Sequence, residues 1–260
     1  MRLNTLLLKP GLMDKQVFEK SFRINTYEAD ASGRLSIPAL FNYLQDTAAH
    51  HAAVLGFGKE NLEENDLFWV LSRILVKMDI IPDWEEKILI KTWPRSINGI
   101  FALRDFEIYG INGEKYGGAS SCWLMLNNEN RKPVRPGKML ERFEGRMHEG
   151  QALVRDPGKL PAIKKVSYTS PAFHVKYSDL DINMHANNVQ YIKWALDTYP
   201  LGHRLGSVFE SAEINYLAES LPGDEIAVKT METGDNIFEH SLVRQNDGKE
   251  LCRLRVGWKT

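Results

Sequence analysis

Residues 181–188 carry the side chains of this chain that are best suited to chemistry. The segment reads Asp-Ile-Asn-Met-His-Ala-Asn-Asn and directly precedes an apolar helical pattern. In an extended backbone, Asp181, Asn183, His185 and Asn187 would project from one face, because side chains alternate along a strand. A carboxylate, amides and an imidazole on one face can position water, accept a proton and donate hydrogen bonds. The spacing therefore predicts a reactive row of side chains.

Two other interpretations of this row are weaker. Capping a helix uses one or two polar side chains, which suits Asn187 and Asn188 alone but not the three polar residues that precede them. A calcium loop would need glycine and glutamate at its sixth and twelfth positions, where this chain has Met184 and Gln190. The sequence contains no nicotinamide, flavin or metal fingerprint, so we expect no cofactor and no metal.

The chain contains an internal duplication. Residues 21–47 align with residues 172–198 without a gap, at a constant offset of 151 residues. At the reactive row, the first copy has Asp30, Ser32 and Arg34, so the imidazole is present only in the second copy. We infer that the second half is active and that the first half is a scaffold.

Both copies predict one helix followed by a run of antiparallel strands. In the first copy, Ser36 is a suitable N-cap and Pro38 a suitable first-turn residue for a helix that ends near His51. The equivalent helix of the second copy is predicted over 188–197. Branched and aromatic residues, interrupted by turn signals such as Asn-Gly, predict strands over 68–80, 87–93, 101–109, 117–126, 207–216, 225–232, 238–244 and 251–258.

This order of elements predicts an α+β fold in which each sheet curls around its helix to bury the apolar stripe of that helix. Such an arrangement is the hotdog fold, and the duplication predicts a tandem, or double, hotdog. We expect an N-terminal hotdog domain over 1–130, a basic linker over 131–165 and a C-terminal hotdog domain over 166–260 that carries the chemistry. A chain of 260 residues with 43% apolar content is long enough for two cores.

The linker is strongly basic, in a chain whose net charge is −1. Residues 131–165 contain ten Lys and Arg against four Asp and Glu, with one short helix predicted near 139–146. The near-neutral total argues against a nucleic-acid partner. The linker is either a solvated connection or a dock for an acidic partner, whose basic side chains would be Arg131, Lys132, Arg135 and Lys138.

Cysteine usage and the N-terminal sequence bear on the compartment. Cys122 and Cys252 occupy non-equivalent places in the two copies, which predicts two buried thiols and not a disulfide. The Leu-Leu-Leu run at residues 6–8 is followed by Lys9 and Pro10, and it is far shorter than the roughly 18 apolar residues of a membrane span. We therefore expect a cytoplasmic protein with no membrane span.

The row, together with Asn-Tyr-Leu-Ala-Glu-Ser at 215–220, resembles the acyl-acyl-carrier-protein (acyl-ACP) thioesterase family of plants and bacteria. The similarity covers roughly 17–258, and the lack of a transit peptide suggests the bacterial form. The resemblance implies a tandem hotdog fold. It also implies a set of catalytic residues, namely Asp181, Asn183, His185 and Glu219. Plant members commonly have cysteine after the glutamate where this chain has Ser220, so the resemblance does not imply a cysteine nucleophile here.

The resemblance further implies hydrolysis of fatty acyl-ACP in fatty acid biosynthesis. Glu219, desolvated in an apolar channel, is our first choice of general base, and His185 competes because imidazole titrates near neutrality. Asn183 would donate to the oxyanion or fix the water, and Asp181 would orient its neighbours. Substrate-binding residues would be Asn187, Asn188, Ser220, Phe68 and Trp69, and the acyl pocket in the first copy would also use Leu71, Ile74 and Trp123.

Two other functions are compatible with the sequence. One is hydrolysis of acyl-CoA, which differs only in the carrier of the acyl chain. The other is a non-catalytic acyl-chain binding module, against which the presence of the polar row in the second copy counts. The inferred partner is acyl carrier protein, which is acidic and carries its acyl chain on phosphopantetheine. The oligomeric state would be monomer or homodimer, because tandem hotdogs can satisfy their pairing within one chain.

Overall fold

A computed structural model describes residues 16–136, 147–234 and 236–259 of the chain. The predicted helix near 139–146 and Lys138 lie outside these residues. Within them, twelve strands form one antiparallel sheet.

The strands of the N-terminal half follow the predicted hairpins. They are β1 (Phe18–Arg23), β2 (Leu67–Met78), β3 (Lys87–Asn98), β4 (Phe101–Gly110), β5 (Lys115–Asn127) and β6 (Pro133–Val134). Gly99 and Gly113 have φ of +63° and +84° in the turns after β3 and β4, a backbone region that glycine adopts without steric cost. Helix α1 (Ile37–Val54) begins where Ser36 Oγ accepts the Ala39 N–H at 3.3 Å, which confirms the predicted cap.

The C-terminal half repeats this order with shorter helices. After β7 (Tyr168–Thr169) and β8 (Phe173–His174), helix α3 (Asn188–Leu196) begins where the Asn187 side chain accepts the Val189 N–H at 3.0 Å. The remaining elements are helix α4 (Leu201–Gly206), β9 (Val208–Tyr216), β10 (Glu225–Gly234), β11 (Ile237–Arg244) and β12 (Glu250–Lys259). A further helix, α2 (Lys59–Glu63), lies between α1 and β2 in the first half.

The main path of the sheet runs in the order β1-β3-β4-β5-β2-β9-β12-β11-β10-β7, with β6 beside β5 and β8 beside β10. The two halves join through β2 and β9, which pair antiparallel from Arg73 opposite Asn215 to Lys77 opposite Ser211. Each half therefore supplies the partner for the strand edge of the other. The core lies between the inner face of this sheet and the helices. Fully buried members include Leu40 and Leu44 of α1 and Ile192 of α3, each of which contributes about 1.5–3 kcal/mol of hydrophobic free energy. This architecture is the tandem hotdog that the sequence predicts.

Residues 147–165 form a strap across the outer face of the sheet. The buried Glu213 carboxylate accepts bonds from both Arg155 Nη atoms, at 2.8 and 2.6 Å, and from the Gly158 N–H at 2.6 Å. Asn215 holds the strap by accepting the Leu160 N–H at 2.8 Å. Although burial opposes ionisation of Glu213, the bonds from Arg155 and Gly158 hold its pKa below the usual range. This part of the linker is bonded to the sheet between His148 and Leu160, and the side chains on its other side, such as that of Val154, are exposed to solvent.

No helix among the described residues is both long enough and apolar enough to cross a membrane.

His240 gives the fold a predictable sensitivity to acid. The imidazole is fully buried, with Nε2 2.8 Å from the Tyr199 hydroxyl and Nδ1 3.0 Å from Thr230 Oγ1. Burial lowers its pKa to about 3. Below pH 6.5 the unfolded chain binds a proton at this site that the folded chain does not, so stability falls as the pH falls. Between pH 7 and pH 5 we expect a loss of about 2 kcal/mol from this residue.

The measurement is urea unfolding at several pH values, for wild type and His240→Gln. Glutamine can still hydrogen-bond to Tyr199 or Thr230 but does not titrate. The variant should lose some stability at pH 7 and show a shallower decline toward pH 5. An equally steep decline in both proteins would mean that other groups cause the acid sensitivity.

Candidate active site

The reactive row is a turn and not an extended segment, so the predicted alternation of faces is wrong. The Asp181 N–H donates to the His185 carbonyl at 2.8 Å, and the Met184 N–H donates to the Asp181 carbonyl at 3.1 Å. Met184 has a left-handed φ of +63°, which a regular strand does not accommodate. In a strand, Ile182 and Met184 would lie on the face opposite the polar side chains. In this turn, their side chains project into solvent and are 82% and 59% exposed.

The Asp181 carboxylate holds this turn. Its Oδ1 accepts the backbone N–H of Asn183 at 2.8 Å and that of His185 at 3.2 Å. The first copy has the same turn, in which Asp30 Oδ1 accepts the N–H of Ser32 at 2.9 Å and that of Arg34 at 3.3 Å. The aspartate is thus a structural feature of both halves, and the halves differ in the side chains that the turn displays.

Glu219 lies on the loop after β9, beside the turn. The Ala186 N–H donates to the Ser220 carbonyl at 2.9 Å and ties this loop to the row. His185 Nδ1 and Glu219 Oε1 are 3.7 Å apart, within ion-pair distance. The Glu219 side chain is 47% exposed and that of His185 is 25% exposed. The apolar channel expected around Glu219 is therefore not present, because the carboxylate lies at a solvated rim among charged groups.

The N-terminal half reaches into this site with two cations. Arg131 Nη1 lies 4.0 Å from Glu219 Oε1, and the Arg131 guanidinium lies 4.9 Å from the centroid of the Phe68 ring. Lys59 of α2 donates to Asn183 Oδ1 at 3.2 Å. The sequence reasoning did not anticipate Lys59 and assigned Arg131 only to a dock. Neither contact has a local sequence signal, because both depend on how the halves pack.

The expected substrate-binding residues take different positions. Asn187 caps α3, as described above. Ser220 is fully buried, and its hydroxyl donates to Asp224 Oδ2 at 3.1 Å, so it holds the loop and is not available to a substrate. Trp69 Nε1 donates to the Phe57 carbonyl at 3.1 Å, which fixes the segment before α2. The Phe68 ring is covered by Arg131.

An apolar cleft lies between α1, α3 and the sheet, next to the row. Its lining comes from both halves and comprises Phe41, Leu44, Gln45, Leu71, Ile74, Phe106, Ser121, Trp123, Asn188, Val189 and Tyr216. The expected wall residues Leu71, Ile74 and Trp123 are among these, whereas Phe68 and Trp69 are not. The pocket was expected within the first copy, but Asn188, Val189 and Tyr216 close it from the second. The cleft is narrow, with a volume of about 10 Å³.

The cysteines are free, buried thiols, as predicted. Burial raises the pKa of Cys122 to about 11 and that of Cys252 well above its usual range, so neither thiol ionises near neutral pH. Among the described residues, no group of three or more His, Cys, Asp or Glu side chains has an arrangement that could hold a metal ion.

Comparison with known proteins gives consistent matches over both halves. The family model for the acyl-ACP thioesterase N-terminal domain matches residues 15–139, and the model for the C-terminal domain matches residues 163–260. The palmitoyl-acyl carrier protein thioesterase of Arabidopsis thaliana chloroplasts is 31% identical over 272 residues, covering 96% of this chain. The chain spans 65% of the length of that plant protein.

Solved structures agree with these matches. An acyl-ACP thioesterase from Bacteroides thetaiotaomicron is 30% identical, with a TM-score of 0.79, and the alignment covers 94% of this chain and 98% of the other. The 12:0-ACP thioesterase from Umbellularia californica, at 23% identity and a TM-score of 0.83, has the same fold over 94% of this chain and 97% of its own. The family resemblance drawn from the row is thereby confirmed, and the chain belongs to the acyl-ACP thioesterase family.

Proposed function

We propose that this chain hydrolyses the thioester of fatty acyl-ACP and releases a free fatty acid, which ends chain elongation. The observation that carries the proposal is the contact between His185 and Glu219 beside the turn that presents Asn183. This turn leads into α3, whose first residues Asn188 and Val189 line the apolar cleft. The family membership supports the same activity. Under this proposal, residues 166–260 supply the chemistry, residues 1–130 supply most of the acyl pocket and residues 131–165 connect them.

The proposed reaction uses one water molecule and no covalent enzyme intermediate. The water oxygen bonds to the thioester carbonyl carbon while Glu219 or His185 takes its proton. The Asn183 amide and the N-terminus of α3 stabilise the negative charge on the carbonyl oxygen. The C–S bond then breaks, the thiolate leaves with the bonding electrons and the proton is returned to it. The high pKa of Cys122 and Cys252 supports a mechanism without a thiolate nucleophile.

The acyl chain would occupy the apolar cleft. Because the cleft is nearly closed, binding requires side chains such as Trp123 and Phe41 to move apart. Trp123 Nε1 donates to Ser121 Oγ at 2.9 Å, a single neutral bond that costs only about 1 kcal/mol to break. Opening at this side chain is therefore energetically accessible to a substrate that buries many methylene groups in exchange.

The rim of the site suits an acidic carrier protein. Lys132 and Arg135 are exposed next to Arg131, and the exposed Ile182 and Met184 add apolar surface. Opposite charges steer association and set orientation, while apolar contacts hold the complex. The pairing of β2 with β9 supports a single chain as the minimal unit, and the two free thiols support a reducing, cytoplasmic compartment.

The test is release of free thiol from acyl-ACP substrates of several chain lengths, with acyl-CoA of the same lengths in parallel. We expect turnover with acyl-ACP and a higher KM with acyl-CoA, because the carrier protein adds contacts at the rim. Equal kcat/KM values for both substrates would favour the acyl-CoA thioesterase. Binding of acyl-ACP without any turnover would favour the acyl-chain binding module and exclude the proposal.

A further inference from the structure

Lys59 is held against the site by the packing of its own half. Helix α2 begins after Gly58, where an added Cβ would lie 2.9 Å from the Ala53 Cα, so this position needs glycine for the close approach. Leu62 of α2 is 1% exposed, which anchors the helix to the protein. The Trp69 indole bonded to the Phe57 carbonyl fixes the preceding segment. The position of the Lys59 backbone is therefore built into the fold.

The Lys59 contact determines which way the Asn183 amide faces. An ammonium group has only donors, so its partner on Asn183 must be the carbonyl oxygen Oδ1. The amide NH₂ then points away from Lys59. An ammonium on the carbonyl oxygen also draws electron density from the amide, and this strengthens the NH₂ as a hydrogen-bond donor.

We propose that Lys59 is a positioning residue for the reaction, supplied by the N-terminal half, that orients and polarises the Asn183 amide toward the developing oxyanion. The proposal rests on the proposed function, since it assigns Asn183 the role of oxyanion donor. The active site would then be shared by the two halves, although the reactive row belongs to only one of them. The degenerate half would contribute chemistry as well as a pocket.

A role of Lys59 in docking the carrier is the competing explanation. The Lys59 side chain is 51% exposed, and its ammonium group also lies 3.6 Å from Glu63 Oε1. A docking cation acts on the encounter with the acidic carrier, so its loss raises KM for acyl-ACP and has no effect on a thioester without a carrier. A positioning cation acts on the transition state, so its loss lowers kcat with every substrate.

The experiment compares wild type and Lys59→Met with acyl-ACP and with the acyl thioester of N-acetylcysteamine, which has no carrier protein. We expect kcat to fall about tenfold with both substrates, with little change in KM. Lys59→Arg should retain most of the activity, because a guanidinium can also donate to Oδ1. The matched control is Lys77→Met, which removes the same charge from an exposed site on β2, about 30 Å along the strand from Phe68.

A double-mutant cycle with Asn183→Ala tests the coupling directly. If Lys59 acts through Asn183, Lys59→Met should cause no further loss in the Asn183→Ala background. A full tenfold loss in that background would overturn the proposal, as would an effect on KM alone that appears only with acyl-ACP. An inactive wild type would instead contradict the proposed function. Because Lys59 is at the surface, equal melting temperatures should show that the variants fold.

Discussion

Replacing Glu219 by glutamine is expected to lower kcat for acyl-ACP hydrolysis by about 10²–10⁴-fold, the usual contribution of a positioned general base. Glutamine keeps the size of the side chain and can still contact His185 and Arg131, but it cannot take a proton from water. Binding of the acyl chain should be preserved, because Glu219 does not line the apolar cleft. The measurement is single-turnover thiol release, together with the affinity for acyl-ACP.

Two further variants make this result interpretable. Glu129→Gln makes the same chemical change at an exposed carboxylate two residues before Arg131, and it should leave kcat unchanged. His185→Gln removes the competing base. If Glu219→Gln retained more than a third of the wild-type kcat while His185→Gln abolished turnover, the imidazole would be the base and the carboxylate would only orient it.

Solvent reaches both candidate bases, since the side chains of His185 and Glu219 are 25% and 47% exposed. The 3.7 Å between His185 Nδ1 and Glu219 Oε1 allows an ion pair, and Arg131 on the other side of the carboxylate adds a second positive charge. Either group can reach a water molecule placed between them and the substrate. The kinetic comparison separates them because glutamine removes proton acceptance from one group at a time.

Much of the fold could be predicted because its signals are local. Ser36 and Asn187 cap the helices that their side chains predict, and branched and aromatic residues between turn signals predict the strands. The main error in the strands lies in β3, predicted to end at Trp93 but found to extend to Asn98. Pro94 does not end this strand, because it lies at a bulge, and β1 pairs with β3 only as far as Thr92.

The site was less predictable because its geometry depends on contacts between distant residues. A period-two pattern predicts a strand, but the turn at 181–185 is fixed by backbone hydrogen bonds that the pattern does not encode. The internal duplication did hold a relevant signal: Gly33 of the first copy aligns with Met184, and both have a positive φ. Reading that glycine as a turn residue would have predicted the turn in both halves.

The strap and the cationic rim were unpredictable for the same reason. Arg155 and Glu213 are far apart in sequence, and the charge balance of 131–165 gave no indication that part of it would be clamped to the sheet. The excess of basic residues there predicted either a solvated connection or a dock for an acidic partner. Some of those cations, however, have partners within the chain, such as Arg155 with Glu213 and Arg131 with Glu219.

The duplication also supplies a control for the role of Asp181. We expect Asp181→Ala to lower kcat about 10–100-fold, because the turn that presents Asn183 and His185 loses the carboxylate that holds it. Asp30→Ala removes the same two backbone contacts from the equivalent turn of the first half. That variant should lose a similar amount of stability, about 1–2 kcal/mol, while keeping its activity. Thermal unfolding and thiol release, measured on both variants, provide the comparison.

Asparagine at position 181 distinguishes turn geometry from charge. The bonds found for the Asp181 carboxylate go to backbone N–H groups, which an amide oxygen can also accept. Asp181→Asn should therefore retain far more activity than Asp181→Ala. An asparagine variant as inactive as the alanine variant would show that the negative charge itself is needed near His185. The aspartate would then act on the imidazole electrostatically. Asp30 cannot have this role, because the first copy has Arg34 in place of the histidine.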